Sequence, residues 1–414
     1  MRISKLFSKT SKNWPAGEEA TNAKLLIKAG YIRKSSAGVY SYLPLGWRVL
    51  NKINDIIREE MNSIGAQELL MPTLVAKDYW AKTDRWEVDI AFKTKLPETS
   101  HQSTEFGLGW THEEVVTDLA TDFISSYQDL PTAVYQIQNK FRAEARAKNG
   151  LLRGREFLMK DLYSFHANKE DLDNYYQTVI EAYKKILQRL DLNAKVVEAA
   201  GGAFTKEYTH EFQVLDPSGE DDVFYCDKCD FAQNKEIAKV GIGDKCPACG
   251  GEIKESSGIE VANVFKLGTR FSDAFNLKFK DKDGSEQAVL MGSYGIGPSR
   301  LMGTLVEAYN DERGIIWPES VSPYKVHLVS LAGDNNMVAK SAEKIYTNLD
   351  KSGVEVLFDD RDISAGHKLA DADLLGLTWR AVVSEKTGNK IELKQRSKPE
   401  IKLVSYEEVA KLVK

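Results

Sequence analysis

Apolar residues recur at helical spacing between Leu50 and Ile64, and Gly65 follows where a helix C-terminal glycine belongs. The next stretch, AQELLMP, is typical of a short strand. Its closing Pro72 would interrupt a central ladder, so the strand is predicted at a sheet edge. A long helix beside an edge strand suits a dimer surface, and an ordinary amphipathic core helix explains the spacing equally well. The apolar face comprises Ile53, Ile57, Met61 and Ile64.

The pattern of apolar and polar residues changes in the second half of the chain. From Val261 to Arg300 apolar and polar residues alternate, which predicts antiparallel strands. From Pro323 strands alternate with helices, which predicts a small α/β domain. Its last helix begins with Ser405 and carries Glu408, a capping box. We therefore predict two domains, 1–323 and 324–414.

Composition and charge restrict the class of protein only loosely. A chain of 414 residues with 28% charged and 42% hydrophobic residues is typical of a soluble globular protein. The net charge of −5 neither favours nor excludes RNA, because local basic patches would meet any polyanion. No apolar run is long enough for a membrane span. The basic N-terminus lacks the apolar core of a secretory signal, and a mitochondrial-type presequence is a minor alternative to the predicted cytoplasmic location.

The segment FRAEARAKNGLLRGREFLMKD, residues 141–161, concentrates charge beside apolar residues. Alternation along a strand would place Arg142, Glu144 and Arg146 on one face of a hairpin. A solvated, salt-bridged ribbon explains this pattern. A polyphosphate site explains it too, because guanidinium groups match phosphate oxygens and Phe157 could stack on a base.

A second segment, VLMGSYGIGPSRLMG from Val289, predicts a strand, a glycine turn and a helix bearing Arg300. It lacks GxGxxG, and the chain has no GxxxxGK[ST] loop, so neither a Rossmann cofactor nor a P-loop fits. If ATP binds, arginines on an antiparallel sheet would hold it.

Four cysteines form two CxxC pairs separated by 16 residues, at Cys226, Cys229, Cys246 and Cys249. This is the spacing of a zinc ribbon, and four thiolates close a tetrahedral site without an open catalytic position. We therefore predict a structural Zn²⁺. The alternative is a pair of reduced knuckles without a metal.

The strand ending in Pro72, the FRAE…REF hairpin and the GIGPSR segment resemble the three signature motifs of class II aminoacyl-tRNA synthetases. Together with LPLGWRVLNKI, GWTHEEVVTDL, HEFQVL and GIEVANVFKLGT they resemble bacterial prolyl-tRNA synthetases over almost the whole chain. The resemblance implies an α+β fold, with an antiparallel-sheet catalytic core in 1–323 and a C-terminal α/β anticodon-binding domain in 324–414. Within the core, residues 222–257 would be a small zinc-ribbon-like insert.

The resemblance also implies roles for particular residues. The catalytic residues would be Arg142, Glu144 and Arg300. ATP with Mg²⁺ would be bound by these three residues together with Phe157 and Gln213. Proline would be bound by Thr111, Glu113, Arg142, Met159, Phe165, His166 and His210. Arg146 would reach the tRNA acceptor end.

The implied activity is formation of prolyl-adenylate from L-proline and ATP, followed by transfer to tRNA(Pro), by a homodimer. Bacterial members usually carry a large editing insertion where this chain has only the cysteine segment. The resemblance therefore implies alanine mischarging, cleared if at all by a separate deacylase. Ser293 replaces a common cysteine, Asn263 replaces a common histidine, and the loop before His210 is lengthened.

Three other functions compete with this interpretation. A non-catalytic synthetase paralogue typically lacks the motif arginines, which this chain keeps. A related class II enzyme for threonine or serine fits the threonine–glutamate loop less well. A pure RNA-binding module would not explain the arginine-rich core.

Overall fold

A computed structural model describes residues 1–96, 105–145, 147–202, 204–205 and 208–413. The helices are α1 (Thr21–Lys28), α2 (Pro44–Ser63), α3 (Lys77–Ala81), α4 (Glu113–Thr121), α5 (Lys169–Arg189), α6 (Arg270–Phe275), α7 (Pro298–Ala308), α8 (Asn336–Lys351), α9 (Ala365–Leu375) and α10 (Tyr406–Leu412). Within these described ranges, no helix is both long enough and apolar enough to cross a membrane.

The strands are β1 (Ile32–Ser36), β2 (Val39–Tyr42), β3 (Gln67–Glu68), β4 (Leu74–Ala76), β5 (Lys93–Lys95), β6 (Glu105–Leu108), β7 (Thr132–Phe141), β8 (Glu156–His166), β9 (Ala194–Ala199), β10 (Thr209–Leu215), β11 (Asp221–Cys226), β12 (Ala232–Asn234), β13 (Ile253–Gly268), β14 (Lys278–Lys280), β15 (Glu286–Ala288), β16 (Leu290–Ile296), β17 (Asn310–Asp311), β18 (Gly314–Ile315), β19 (Val326–Leu331), β20 (Val356–Asp359), β21 (Trp379–Ser384), β22 (Ile391–Gln395) and β23 (Ile401–Val404).

The chain divides into two compact units. The first contains Met1–Ser35, Tyr40–Ile53 and Leu305–Lys414, and the second contains Ser36–Val39 and Asn54–Thr304. The first unit cuts across the boundary predicted near residue 323, because segments from both ends of the chain pack together within it. The buried Tyr31 hydroxyl, for example, donates to the carbonyl of Leu375 at 2.7 Å and accepts from Trp317 Nε1 at 3.0 Å.

The second unit is built on a nine-stranded sheet with the order β10-β9-β12-β11-β13-β16-β8-β7-β3. Its central pairs are antiparallel, as the alternating pattern predicts, and β3 lies at the edge beside β7. The predicted helix before that edge is confirmed as α2, and its apolar face is buried at Ile53, Ile57 and Met61. The backbone reverses after the helix at Gly65, where φ is +80°.

Strand β8 separates two environments, because successive side chains point to opposite faces of a sheet. One face carries Asp161, which accepts from Lys140, Gln136 and Tyr163 at 2.8, 3.0 and 2.9 Å. The other face packs on α5, where the buried Lys160 contacts the Tyr183 hydroxyl. The hydrogen bonds on the first face therefore hold the adjoining loops in place. The second face packs against α5.

The cysteine segment is continuous with this sheet. Strand β13 pairs with β11 along its first half and with β16 along its second half. Strand β11 runs from Asp221 to Cys226. The first candidate metal ligand therefore lies at the end of a strand of the central sheet. The insert is therefore an extension of the core strands.

The first unit contains a five-stranded sheet with the order β20-β19-β21-β22-β23. Its first three strands are parallel and its last two antiparallel, which confirms the predicted strand–helix alternation. The apolar face of α8 is buried at Val338, Ala342, Ile345 and Leu349, and α10 begins with the predicted Ser405–Glu408 capping box. The core of this sheet includes Val326, Leu328, Ile345, Leu349, Val356 and Val383.

Candidate active site and metal centre

One cleft in the second unit collects five of the residues predicted from the sequence. It lies over β8, β13 and β16 at the start of α7. Its walls include Arg142, Glu144, Phe157, Met159 and Arg300, together with Glu260 and Gly297. The hairpin and the glycine segment, about 150 residues apart in the chain, therefore meet at one site.

Arg142 follows β7 directly, and its backbone N–H donates to the Arg155 carbonyl at 2.9 Å. Its guanidinium lies 5.2 Å from the Phe157 ring centroid. In the part of the chain that the structure describes, the buried Arg142 Nε has no hydrogen-bond partner. Burial lowers the pKa of Arg142, and the nearby Arg300 lowers it further. An anion placed between the two guanidinium groups would relieve both effects.

Arg300 projects from α7 towards β13. Its Nη1 donates to the Glu260 carbonyl at 2.5 Å and to Glu260 Oε2 at 3.1 Å. The other oxygen of that carboxylate, Oε1, accepts from Asn263 Nδ2 at 2.9 Å. Glu260 could not be identified from the sequence, because a single acidic residue in a strand of alternating pattern does not stand out from the other polar positions. Only the structure shows that this carboxylate orients Arg300.

Glu144 is already paired in this structure. Its Oε2 accepts from Arg153 Nε at 2.9 Å, and Arg153 Nη1 contacts Glu220 Oε2 at 2.6 Å. The hairpin loop is thus tied to the turn before β11. Arg146, the predicted contact for the tRNA acceptor end, lies outside the described residues.

Gln213 does not line the cleft. Its buried amide donates to Glu211 Oε2 and Asp221 Oδ2, each at 2.9 Å. Burial raises the pKa of Glu211 to about 8, and Glu260 adds to the rise. Asp221, which the sequence did not single out, lines the adjoining part of the cleft with Glu220.

The threonine–glutamate loop forms a second, buried polar group at the start of α4. Thr111 Oγ1 donates to Glu113 Oε2 at 2.5 Å, and Ser293 Oγ donates to Glu113 Oε1 at 3.0 Å. Arg85 Nη1 donates to Glu113 Oε2 and to Glu114 Oε1, each at 3.1 Å. Arg85 could not be identified from the sequence, because it is 28 residues from Glu113 and stands in no motif. Glu114 stands beside Glu113, but the sequence does not show that the two share Arg85.

The other residues predicted to bind proline are divided between the two faces of the sheet. Met159 lines the cleft, and Phe165 lies on the same face but deep in the apolar core beside Met291. His166 lies on the α5 side, bonded through Nδ1 to Asp171 at 2.6 Å and through Nε2 to Ser164 at 2.8 Å. His210 also faces α5 and pairs with the Tyr176 hydroxyl at 2.8 Å. The structure does not bring these histidines to the cleft.

The four cysteines converge at one point. Their Sγ atoms all lie within 4.8 Å of one another. The Cys226–Cys249 and Cys229–Cys246 Sγ distances are both 3.5 Å, too long for disulfide bonds. Four converging thiols without disulfides are the donor set that a tetrahedral zinc ion requires.

Comparison with known proteins identifies the family. Residues 92–309 match the tRNA synthetase class II core domain (G, H, P, S and T), and residues 325–414 match an anticodon binding domain. A proline–tRNA ligase of Rhizorhabdus wittichii is 38% identical over 432 residues, covering 99% of this chain and 98% of the relative. The chain belongs to the proline–tRNA ligase family.

Other members of this family are longer. The proline–tRNA ligase of Persephonella marina is 35% identical over 545 aligned positions, covering 96% of each chain. That of Dehalococcoides mccartyi is 33% identical over 561 positions, covering 100% of this chain and 98% of the relative. Both alignments extend well beyond 414 residues, so these proline–tRNA ligases contain segments that this chain lacks.

The fold is also that of a solved proline–tRNA ligase. Prolyl-tRNA synthetase from Cryptosporidium parvum, complexed with halofuginone and AMPPNP, has a TM-score of 0.77 at 17% identity. The match covers 95% of this chain and 74% of that chain. A second structure of the same enzyme, complexed with L-proline and AMP, matches equally well.

Proposed function

We propose that this chain activates L-proline with ATP and transfers it to tRNA(Pro), using the cleft between Arg142 and Arg300 for adenylation. One observation carries the proposal: two guanidinium groups face one cleft, and the buried Nε of Arg142 has no hydrogen-bond partner among the described residues. The names of the full-length relatives support proline as the amino acid. The AMPPNP and the L-proline with AMP bound to the Cryptosporidium enzyme support the same pair of substrates.

The residues have separate tasks in this proposal. In the first step a proline carboxylate oxygen attacks the α-phosphorus of ATP and pyrophosphate leaves. Both reactants are anionic, so Arg142 would stabilise the charge where they meet, and Mg²⁺ bound with ATP would add to this. Phe157 and Arg300 would hold adenine, with Glu144 at its edge. In the second step a tRNA 3′-terminal hydroxyl attacks the carbonyl and AMP leaves.

The proline ammonium would bind beside Thr111 and Glu113. A buried carboxylate and a hydroxyl offer acceptors to the two N–H groups of a secondary ammonium. Met159 would contact the ring from the cleft floor. His166 and His210 have no part in this pocket, because their side chains bond to groups on the α5 side.

Exchange of pyrophosphate into ATP, measured with each amino acid in turn, tests the proposal. We expect exchange with proline, weaker exchange with alanine, and a loss of at least about 100-fold in Arg142→Ala. Arg313→Ala is the matched control, because that exposed arginine pairs with Asp373 and is not one of the residues that line the cleft. Proline-dependent exchange that survives in Arg142→Ala would refute the assigned role.

We propose a purely structural role for zinc at the four cysteines and an anticodon-binding role for residues 324–414, with 1–323 as the catalytic domain. Four thiolates would fill the coordination sphere of zinc, leaving no position for a substrate. The family match over 325–414 supports the second role.

We also propose a homodimer formed at the β3 edge of the sheet. Leu70 and Leu74 follow this strand and are 75% and 54% exposed, which places apolar surface beside an edge that, among the described residues, pairs with no further strand. Sedimentation velocity should give a dimer for the natural chain and a smaller species for Leu70→Lys. A natural chain that sediments as a monomer would exclude the dimer.

A further inference from the structure

The amino-acid site contains more charge than its motif requires. Glu113 and Glu114 are 1% and 0% exposed, and Arg85, only 2% exposed, lies between them. A single nitrogen, Arg85 Nη1, is shared by the two carboxylates at 3.1 Å each. Burial raises the pKa of Glu114, and Arg85 opposes that rise. When both carboxylates are ionised, they and the one guanidinium leave one net negative charge in a buried site.

Arg142 and Lys140 also interact electrostatically with Glu113, but among the described residues neither forms an ion pair with it. The nearest buried ion pair on the same face, Lys140–Asp161 at 2.8 Å, is neutral as a pair. The remaining donors to the site are hydroxyls, from Thr83 to Glu114 Oε1 at 2.6 Å and from Thr111 and Ser293 to Glu113. An uncompensated buried charge is costly, so a cation entering the site gains that energy.

Arg85 is held so that it cannot leave the carboxylates. Its guanidinium carbon lies 4.2 Å from the Trp110 ring centroid and 5.2 Å from that of Phe204. Within the described part of the chain its buried Nε and Nη2 have no hydrogen-bond partner, and Nη1 donates to both carboxylates. Arg85 therefore keeps Glu113 in place while neutralising only one of the two acids.

We propose that Arg85 and Glu114 are positioning residues that hold Glu113 and set a net charge of −1 around it, and that this charge strengthens binding of the substrate's ammonium group. The inference rests on the proposed role of Glu113 in binding proline. Glu114 has no exposed surface, so it would act on the substrate only through charge and through Arg85. The partner chemistry is a small secondary ammonium carrying a carboxylate.

The test compares proline with cyclopentanecarboxylate, which has the same ring and carboxylate but a CH₂ in place of the ammonium. The readout is the inhibition constant of cyclopentanecarboxylate divided by the KM of proline in pyrophosphate exchange. In Glu114→Gln the site becomes neutral, and we expect this ratio to fall roughly tenfold through a higher proline KM. The turnover number and the KM of ATP should change little.

The double variant Arg85→Met/Glu114→Gln separates charge from shape. It removes one acid and one base, so Glu113 alone supplies the charge of −1, and the ratio should return to within about threefold of the natural value. A merely structural role predicts that the double variant is at least as impaired as Glu114→Gln. Lys160→Met is the matched control, because it removes a buried amino group on the opposite face of the sheet and should leave the ratio unchanged.

Each outcome decides a specific claim. A ratio that falls in Glu113→Gln but not in Glu114→Gln overturns this inference and leaves the proposed proline site intact. A ratio unchanged in Glu113→Gln overturns the proline site itself. If the double variant does not fold, Arg85→Lys takes its place: it keeps the charge and should keep the ratio, and loss of the ratio in this variant would overturn the inference.

Discussion

At the scale of single residues, adjacent residues on β8 point to opposite faces of the sheet and therefore have different surroundings. Met159 faces the cleft, and the next residue, Lys160, is fully buried against α5. Glu113 and His166 differ in the same way. Three donors hold Glu113 in place on the cleft side, whereas both ring nitrogens of His166 are hydrogen-bonded on the α5 side. The chemistry of each side chain is therefore decided by the face it occupies.

Ser293 belongs to the cleft face, and its hydroxyl donates to Glu113 at 3.0 Å. Ser293→Ala should raise the KM of proline about tenfold and leave that of ATP unchanged, because a hydrogen bond to a charged group is lost. Ser293→Cys should fall between the two, since a thiol is a weak donor. The control is Ser272→Ala, whose buried hydroxyl donates to the Val289 carbonyl instead. Equal proline KM values in all four proteins would contradict the assigned contact.

Lys160 allows a prediction about stability and pH. Burial lowers its pKa well below the ordinary value of 10.5, so the folded state disfavours a proton that the unfolded state binds. Stability is consequently lost as the pH falls below 10.5 towards the folded pKa. Lys160→Met should raise the melting temperature at pH 7, and the gain should shrink near pH 10. If the gain in melting temperature instead increased with pH, the predicted direction of the pKa shift of Lys160 would be wrong.

At the scale of elements, the cleft depends on strands that continue into the cysteine insert. β13 carries Glu260 in its second half and pairs with the insert strand β11 in its first half. The turn before β11 holds Glu220, which binds the hairpin loop through Arg153. A disturbance of the insert should therefore reach the ATP side of the cleft before the proline side.

Zinc removal tests this connection. Elemental analysis should find one zinc per chain, and a chelator or Cys246→Ser should lower the melting temperature and raise the KM of ATP more than that of proline. The physical reason is that metal binding holds the ends of β11 and β13 together. Lys254→Ala, which removes only an exposed ion pair with Asp227, should change neither quantity. A metal-free natural chain with the same melting temperature would remove the structural role.

At the scale of the whole molecule, length distinguishes this chain from many of its relatives. The Rhizorhabdus enzyme aligns over 432 residues, whereas the Dehalococcoides enzyme needs 561 positions to cover the same 414 residues. In the resemblance drawn from the sequence, the missing segment is the editing insertion. The cysteine segment contains the short strands β11 and β12.

Alanine is the expected error. It is smaller than proline by about two methylenes, and each methylene supplies only about 1–3 kcal/mol of discrimination. The purified enzyme should therefore form alanyl-tRNA(Pro) and should not hydrolyse it above the uncatalysed rate. The longer Persephonella enzyme is the comparison for the deacylation assay. Rapid deacylation by the present chain would disprove the prediction.

How far the sequence predicted the site depends on the kind of contact. Arg142, Glu144, Phe157 and Arg300 were recognisable because they stand in short, continuous motifs, and all four line the cleft. Glu260, Arg85 and Glu114 were not singled out, because their partners are distant in the chain and no local pattern marks them. His166 was assigned with Met159 because both stand in one motif, yet an odd separation along a strand places them on opposite faces.

By itself the sequence determined the periodic elements, the cysteine spacing, the charged hairpin and, through its motifs, the family. These features are local: side-chain alternation, caps and ligand spacing are written within a few consecutive residues. Only the tertiary structure decided which charges share a nitrogen, which face each side chain takes, and that β13 joins the cysteine insert to the cleft. Such contacts depend on strand register and on burial. The role of a buried charged group is set by the partners that the fold brings within about 3 Å of it.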